Sequence, residues 1–401
     1  MTELCLTILL VIANAVAQDP PAAPRPKPGI ATPLAPVRSP EVSADGRVTF
    51  RLRAPKAKEV SVTGIFSQPL PMQNDEEGVW SATVGPLRPD LYEYAFVVDG
   101  LTIPDPFNPR LRPAFARYRG SLVLVPGDIP WSPLSDAPRG AVTRHVFRSS
   151  VAGDERDFYV YTPPNYDPKR KQPYPVVYLL HGLWDDARAW IEVGAANVTL
   201  DTLIHQGKAA PMVMVNPLGY GTANGPADVD REDMLPNFVR ILLEEVMPQV
   251  EKRYHVSTRR TERAIAGLSM GGAQAILAGL NHLDKFAWVG SFSGAFNLWP
   301  WTRPPQAKPV PMGPPNPDRL RLVASELPKT FPKLDARANA QIRLLWLSCG
   351  TADILLRVNR EFKAYLDSIG VHAKYTEVPD VGHVWPLWRR NFADFAAALF
   401  Q

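Results

Sequence analysis

Cysteine is nearly absent: Cys5 and Cys349 are the two in 401 residues. A disulfide framework and a cysteine-based zinc site are both excluded, since each needs more thiols at closer spacing. An excess of one charge is also missing. Forty-four Lys and Arg face 40 Asp and Glu, a net +4, with no block of basic residues. Nothing here favours nucleic acid or another polyanion as partner. The apolar run Leu4–Val16 falls short of the about 20 residues that cross a bilayer, so stable membrane insertion is not expected. What is present is 45% apolar residues, enough for a real core. The length suits two domains. There are also 43 prolines, about twice the usual share of roughly 5%.

Leu4–Val16 followed by Ala15-Val16-Ala17 fits a secretory leader (residues 1–17) with a small-x-small cleavage site, although Met1-Thr2-Glu3 carries no positive charge. A secreted or periplasmic location is the expectation. Residues 18–40 are a linker: Asp19–Pro40 holds eight prolines in 22 residues. Proline fixes φ and lacks an N–H, so this stretch favours extended polyproline II.

Residues 41–127 read as a small all-β, immunoglobulin-like sandwich. Arg47–Ala54, Glu59–Gly64, Trp80–Val84 and Leu91–Val98 are β-rich, and Asp99-Gly100 is a tight turn into Leu101–Ile103. Alternation places Tyr92, Tyr94 and Phe96 on one buried face. Gly78-Val79-Trp80, Leu91-Tyr92-Glu93-Tyr94, Val98-Asp99-Gly100 and Asp105-Pro106 together resemble the family 48 carbohydrate-binding modules. That resemblance implies glycan binding through exposed aromatics. The alternative, favoured by the alternation, is that these aromatics are core and the module packs on its neighbour.

Residues 139–401 alternate strands and helices, the pattern of an α/β domain with a parallel sheet. Val142–Arg148 and Phe158–Thr162 look like a leading antiparallel pair. Pro175–Leu180 and Pro211–Asn216 are continuous apolar runs, as strands buried on both faces require. Further strands are expected at Arg263–Ala266, Trp288–Ser293, Leu344–Ser348 and Lys374–Val378. Helices are expected at Val198–Gln206, Ala273–Leu280, Glu361–Ile369 and Arg390–Phe400. Another is expected after Asp233, a candidate cap, with a kink at Pro248.

Gly267-Leu268-Ser269-Met270-Gly271-Gly272 contains Gly-x-Ser-x-Gly between a strand and a helix, the context of a nucleophile elbow. The turn is so sharp that a Cβ at Gly267 or Gly271 would clash, and Ser269 would sit strained at its tip. A serine hydroxyl needs a base. His383, in the loop between the last strand and the closing helix, is the best placed of seven histidines. The acid should lie between them. Asp353 follows a strand end on the same edge as Ser269 and would fix the His383 tautomer. Asp380 is its rival, though only three residues from His383 it would have to curl back. Two backbone donors should form the oxyanion hole: Met270 N–H, and Leu183 N–H in His181-Gly182-Leu183-Trp184-Asp185-Asp186. His181 is read as ordering that loop.

These motifs, with Trp190 and Gly382-His383 followed by Trp385, Trp388 and Arg389, resemble the esterase D–type hydrolases. Within them the chain is similar to carbohydrate esterase family 1, the bacterial feruloyl and acetylxylan esterases. The resemblance covers roughly Val48 to Phe400. It implies an α/β-hydrolase fold, a Ser269–His383–Asp353 triad, no metal or organic cofactor, and ester-bearing plant cell-wall polysaccharide or its oligosaccharide esters as substrate. Many relatives have glycines where this chain has Leu183 and Trp184, so a positive φ at Leu183 would strain the loop.

For substrate contacts the sequence offers Trp299 and Trp301, which open a proline-rich insertion (297–318) and could stack on an aromatic acyl group or a sugar. It also offers Trp385 and Asp185, for which packing and helix capping are the alternatives. Three other functions remain compatible: an enterochelin-type siderophore esterase, a secreted acyltransferase, and a non-catalytic glycan-binding protein. The sequence leaves the acyl group and the oligomeric state open.

Overall fold

The computed structural model describes residues 37–65, 68–113, 120–300 and 320–401. The leader, most of the linker, and Trp301 with most of the insertion lie outside the described residues.

The sandwich is built from β1 (Glu41–Val42), β2 (Val48–Arg53), β3 (Val60–Thr63), β4 (Leu70–Pro71), β5 (Gln73–Asn74), β6 (Val79–Val84), β7 (Asp90–Val98), β8 (Leu101–Ile103) and β9 (Ser121–Val125). One sheet runs β1-β2-β6-β5 and the other β4-β3-β7-β8, with β9 pairing the first half of β7. Asp99 and Gly100 both take positive φ (47° and 83°), as the tight hairpin between β7 and β8 demands. Val48, Phe50, Trp80, Tyr94 and Phe96 fill the core.

Tyr92 packs against the same core as Tyr94 and Phe96, as the alternation predicts, though it is only half-buried. Leu91 and Ala95, which alternate onto the other face of β7, are buried as well. Leu91 and Leu122 form a small cluster with Val193 of the α/β domain. Both faces of β7 are therefore used, one for its own core and one for docking.

The α/β domain adds β10 (Ala141–Arg148), β11 (Glu155–Thr162), β12 (Val176–Leu180), β13 (Val213–Pro217), β14 (Arg263–Leu268), β15 (Trp288–Phe292), β16 (Leu344–Gly350) and β17 (Lys374–Val378). Their order is β10-β11-β13-β12-β14-β15-β16-β17. The β10–β11 and β11–β13 pairs are antiparallel, and β13 through β17 run parallel. Strands β12 to β15 are buried along their whole length, which explains their unbroken apolar sequence.

The helices are α1 (Ala189–Glu192), α2 (Ala196–His205), α3 (Met234–Arg240), α4 (Met247–Arg253), α5 (Met270–Asn281), α6 (Leu327–Thr330), α7 (Leu356–Ser368) and α8 (Trp385–Ala398). Pro248 does not break its helix. A π-helical stretch, Ile241–Val246, joins α3 to α4 just ahead of it and absorbs the lost N–H and the ring clash. Asp233 stands at the N-cap of α3, but its carboxylate is held by Arg231 and caps nothing. Two apolar clusters cover the two faces of the sheet, as a doubly covered parallel sheet requires.

Candidate active site

Ser269 follows β14 directly and stands at the N-cap of α5 with φ 51° and ψ −117°. This is the strained elbow conformation, held because its neighbours leave no alternative. A Cβ on Gly267 would lie 2.5 Å from the Gly271 carbonyl, and one on Gly271 would lie 2.4 Å from Leu180 O. The clashes expected at these two glycines are there. The Ser269 amide donates to Phe292 O (2.9 Å) and its carbonyl accepts from Ala295 N–H (2.9 Å).

His383 reaches the elbow from the loop after β17. Its Nε2 lies 3.0 Å from Ser269 Oγ, and its Nδ1 lies 3.0 and 2.9 Å from the two oxygens of Asp353. With the carboxylate on Nδ1, that nitrogen carries the proton and Nε2 presents its lone pair to the serine. The Asp353 side chain is fully buried, and its Oδ1 also accepts from Leu355 N–H (2.8 Å). Asp380 makes no hydrogen bond or ion pair with the imidazole. It takes positive φ (57°) in a turn whose N–H is bound by Thr351 Oγ1.

The acid loop and the histidine loop are sewn together. Ala352 N–H donates to Val381 O, and a Cβ on Gly350 would strike that same carbonyl at 1.9 Å. Trp388 packs edge-on to His383 (4.8 Å between ring centres) and donates from Nε1 to Ser293 Oγ. Cys349 lies buried beside Asp353, and both burial and that carboxylate push its thiol pKa up, so it offers no competing nucleophile.

The loop facing Ser269 follows β12. His181 is buried there. Its Nε2 accepts from Gly219 N–H and its Nδ1 donates to Gly182 O, both at 2.8 Å. Burial lowers its pKa and keeps it neutral in this role. His181 therefore pins the loop, as read from the sequence. The strain expected at Leu183 falls one residue later, on Trp184 (φ 70°). Gly182 lies beside Ser269: a Cβ there would strike Leu268 Cδ1 at 2.6 Å and come into ordinary contact with the serine Cβ at 3.5 Å. The N–H of Met270, first in α5, has no partner within the helix.

A cleft of about 500 Å³ opens over Ser269 and His383. Its catalytic-domain wall includes Leu183, Val384, Trp385 and Trp388, and its opposite wall is the sandwich: Ile65, Tyr92, Glu93 and Arg112. Sequence reasoning did not place these sandwich residues at the site, because only domain docking brings them to the serine. Trp385 lines the cleft half-buried, wedged edge-on against Trp190 and Trp388.

The substrate-contact expectation for Trp299 and the capping alternative for Asp185 are corrected. Trp299 is fully buried, stacked on Phe296 (4.6 Å), with its Nε1 donating to Ala273 O. The indole is core and presents no face to a ligand. Asp185 lines the cleft but caps no helix. It is buried and ion-paired to Arg112 (3.0 Å), and burial pushes its pKa up to about 7. Asp186 makes the local turn instead, accepting from Arg188 N–H.

Among the described residues no group of three or more His, Cys, Asp or Glu could hold a metal. No helix among them is long and apolar enough to cross a membrane.

The esterase family model matches residues 149–399, well over half the chain, and spans every residue of the Ser269–His383–Asp353 cluster. The chain belongs to this esterase family. The model of carbohydrate-binding module 48, the isoamylase N-terminal domain, matches residues 36–108 of the same esterase. An endo-1,4-beta-xylanase/feruloyl esterase of Xylanibacter ruminicola is 27% identical over 376 residues, 90% of this chain and 46% of that one. The chain spans about half the length of the curated relatives it matches. Among solved structures, a ferulic acid esterase is 28% identical with TM-score 0.52, covering 65% of this chain and 97% of its own. The enterochelin esterase of Shigella flexneri, 21% identical with TM-score 0.62, covers 90% of this chain and 94% of its own. At that identity it shows the shared fold alone.

Proposed function

We propose that this esterase hydrolyses carboxylic esters on plant cell-wall polysaccharide, feruloyl or acetyl esters of xylan, by a Ser269–His383–Asp353 triad. The observation that carries the reading is His383 Nε2 at 3.0 Å from Ser269 Oγ with Asp353 on the far nitrogen. Ser269 Oγ attacks the ester carbonyl carbon as His383 Nε2 takes its proton. The N–H groups of Met270 and Leu183 receive the oxyanion. Collapse expels the alcohol, which His383 protonates, leaving an acyl group on Ser269. Water activated by the same nitrogen then releases the acid. No step calls for a metal or organic cofactor. The feruloyl esterase relative and the aromatic cleft wall of Tyr92, Trp385 and Trp388 support the substrate class. The apolar leader ending in Ala15-Val16-Ala17 supports export, and the enzyme is proposed to work in the periplasm or outside the cell.

A siderophore esterase would need free cations for an anionic catecholate. The two arginines on the described cleft wall are both engaged, Arg112 by Glu93 and Asp185, and Arg389 by Asp90. This favours the neutral ester substrate.

The test is release of product from methyl ferulate, acetylated xylan and ferric enterobactin by the purified protein, with Ser269→Ala as blank. Ser269-dependent release of ferulate or acetate is expected, and Ser269→Ala should lose about 10³-fold or more without unfolding. Cleavage of ferric enterobactin alone would move the function to iron acquisition. Retained activity in Ser269→Ala would sink the triad.

A further inference from the structure

The sandwich reaches into the catalytic machinery at one residue. Arg112 is anchored in the sandwich by its backbone: its N–H donates to Gly120 O (2.9 Å), and the preceding Leu111 bridges Ser121. Its guanidinium leaves that domain. Nη2 donates to Asp185 Oδ1 at 3.0 Å, while Nε sits 2.7 Å from Glu93 Oε2 of β7. The arginine side chain is 18% exposed and the aspartate 5%. This is a largely desolvated pair across the domain boundary, where loss of one partner leaves a buried charge uncompensated.

Asp185 belongs to the Gly182–Asp186 loop, two residues after Leu183. That loop is strained at Trp184 and closed by Asp185 N–H on Gly182 O (3.3 Å). Its Gly182 lies between the two functional groups: a Cβ there would be 3.5 Å from Ser269 Cβ and 3.6 Å from Asp185 Oδ2. The serine, the loop and the aspartate are in one packed stack. Strained turns persist only where the surroundings over-determine them. His181 fixes the start of the loop, and Tyr220 Oη donates to the Asp185 carbonyl (3.0 Å). The Asp185 side chain is held from outside the domain.

We propose that Arg112 is a positioning residue for ester hydrolysis: through Asp185 it holds the Gly182–Asp186 loop, and with it the Leu183 N–H, where the oxyanion forms. The sandwich is thus a working part of the catalytic device, separate from any affinity for glycan. The inference rests on the ester-hydrolase reading above. Burial raises the Asp185 pKa, and Arg112 is the cation that opposes that rise.

The oxyanion donor acts on every ester alike, which gives a signature that a substrate contact would not. Arg112→Ala and Arg112→Lys are compared with wild type on p-nitrophenyl acetate and methyl ferulate, with amide hydrogen exchange followed across the chain. Loss of a whole oxyanion donor costs about 10²–10³-fold, so a loosened one should cost about 10–100-fold in kcat. Arg112→Ala should show that loss on both esters with KM nearly unchanged, and faster exchange confined to residues 183–186. Arg112→Lys should recover part of both. A rise in KM on methyl ferulate alone would make Arg112 a substrate contact and overturn the proposal. So would unchanged kcat and exchange, or faster exchange throughout the sandwich. Wild-type protein without Ser269-dependent release would sink the ester-hydrolase reading, and the exchange result would then decide alone whether Arg112 holds the loop.

Discussion

Arg389 of α8 donates from Nε and Nη2 to Asp90 Oδ1 of β7, at 3.1 and 2.8 Å, fastening the closing helix of the catalytic domain to the sandwich. The arginine side chain is fully buried and also donates to the carbonyls of Leu91 and Val193. Trp131 Nε1 donates to the same Asp90 oxygen. The neighbouring Trp388 packs on His383, so the residue that docks the domains sits one position from a wall of the active site.

Asp90→Ala should therefore cost about 3 kcal/mol or slightly more, because it leaves Arg389 charged and buried without its counter-ion. Urea denaturation should show an earlier midpoint, and limited proteolysis should cut between the domains first. An unchanged midpoint would mean that the apolar contact of Leu91, Leu122 and Val193 docks the sandwich alone.

Asp353→Asn should preserve the fold and lower kcat by about 10³–10⁴-fold, since the amide can offer its N–H to Nδ1 and turn the Nε2 proton toward Ser269. The same substitution at Asp380, which neither hydrogen-bonds nor ion-pairs with the imidazole, should change kcat by less than about twofold. Matching circular dichroism with the kinetics of both variants decides the point.

Gly271→Ala should destabilise by about 1–3 kcal/mol or more, because the added methyl would meet the Leu180 and His181 carbonyls at 2.4 and 2.5 Å, and backbone there cannot step aside. Activity should fall with it as the elbow shifts. Gly207→Ala is the comparison. It has open space around it and φ 67°, so only the left-handed conformation, about 1 kcal/mol, is charged against it. Thermal melts of the two rank the effects.

The pKa of Asp185 is raised in the folded protein to about 7, by burial first, with Arg112 opposing and Asp186 and Glu93 adding. A group whose folded pKa is raised takes up a proton on folding. Its contribution to stability is therefore present at low pH and lost as pH rises toward about 7. Asp185→Asn removes that dependence. Relative to this variant, wild type should gain stability as pH falls from 7 to 4, read as the difference between their urea midpoints. A constant difference would mean that Asp185 stays ionised throughout.

Much of this protein is legible along the chain because the relevant physics is local. Strands β12 and β13 are continuous apolar runs since both their faces are covered, and the run itself says so. Gly267 and Gly271 declare the elbow because only a missing Cβ lets a strand turn so sharply into a helix. The order Ser269, Asp353, His383 follows from which strand ends share an edge. Tertiary structure decided where two sequence-distant surfaces meet. Trp299 and Trp385 look alike as tryptophans beside loops, yet one is sealed under Phe296 and Phe331 and the other lines the cleft. Asp185 resembles a helix cap until Arg112, 73 residues earlier in the chain, is placed against it. Leu183 escapes the positive φ, which falls instead on its neighbour Trp184, in a loop pinned at His181. Periodicity and motif record what a residue does to its own backbone. The burial of a charge and the choice of its partner depend on how two domains dock, which no local pattern encodes.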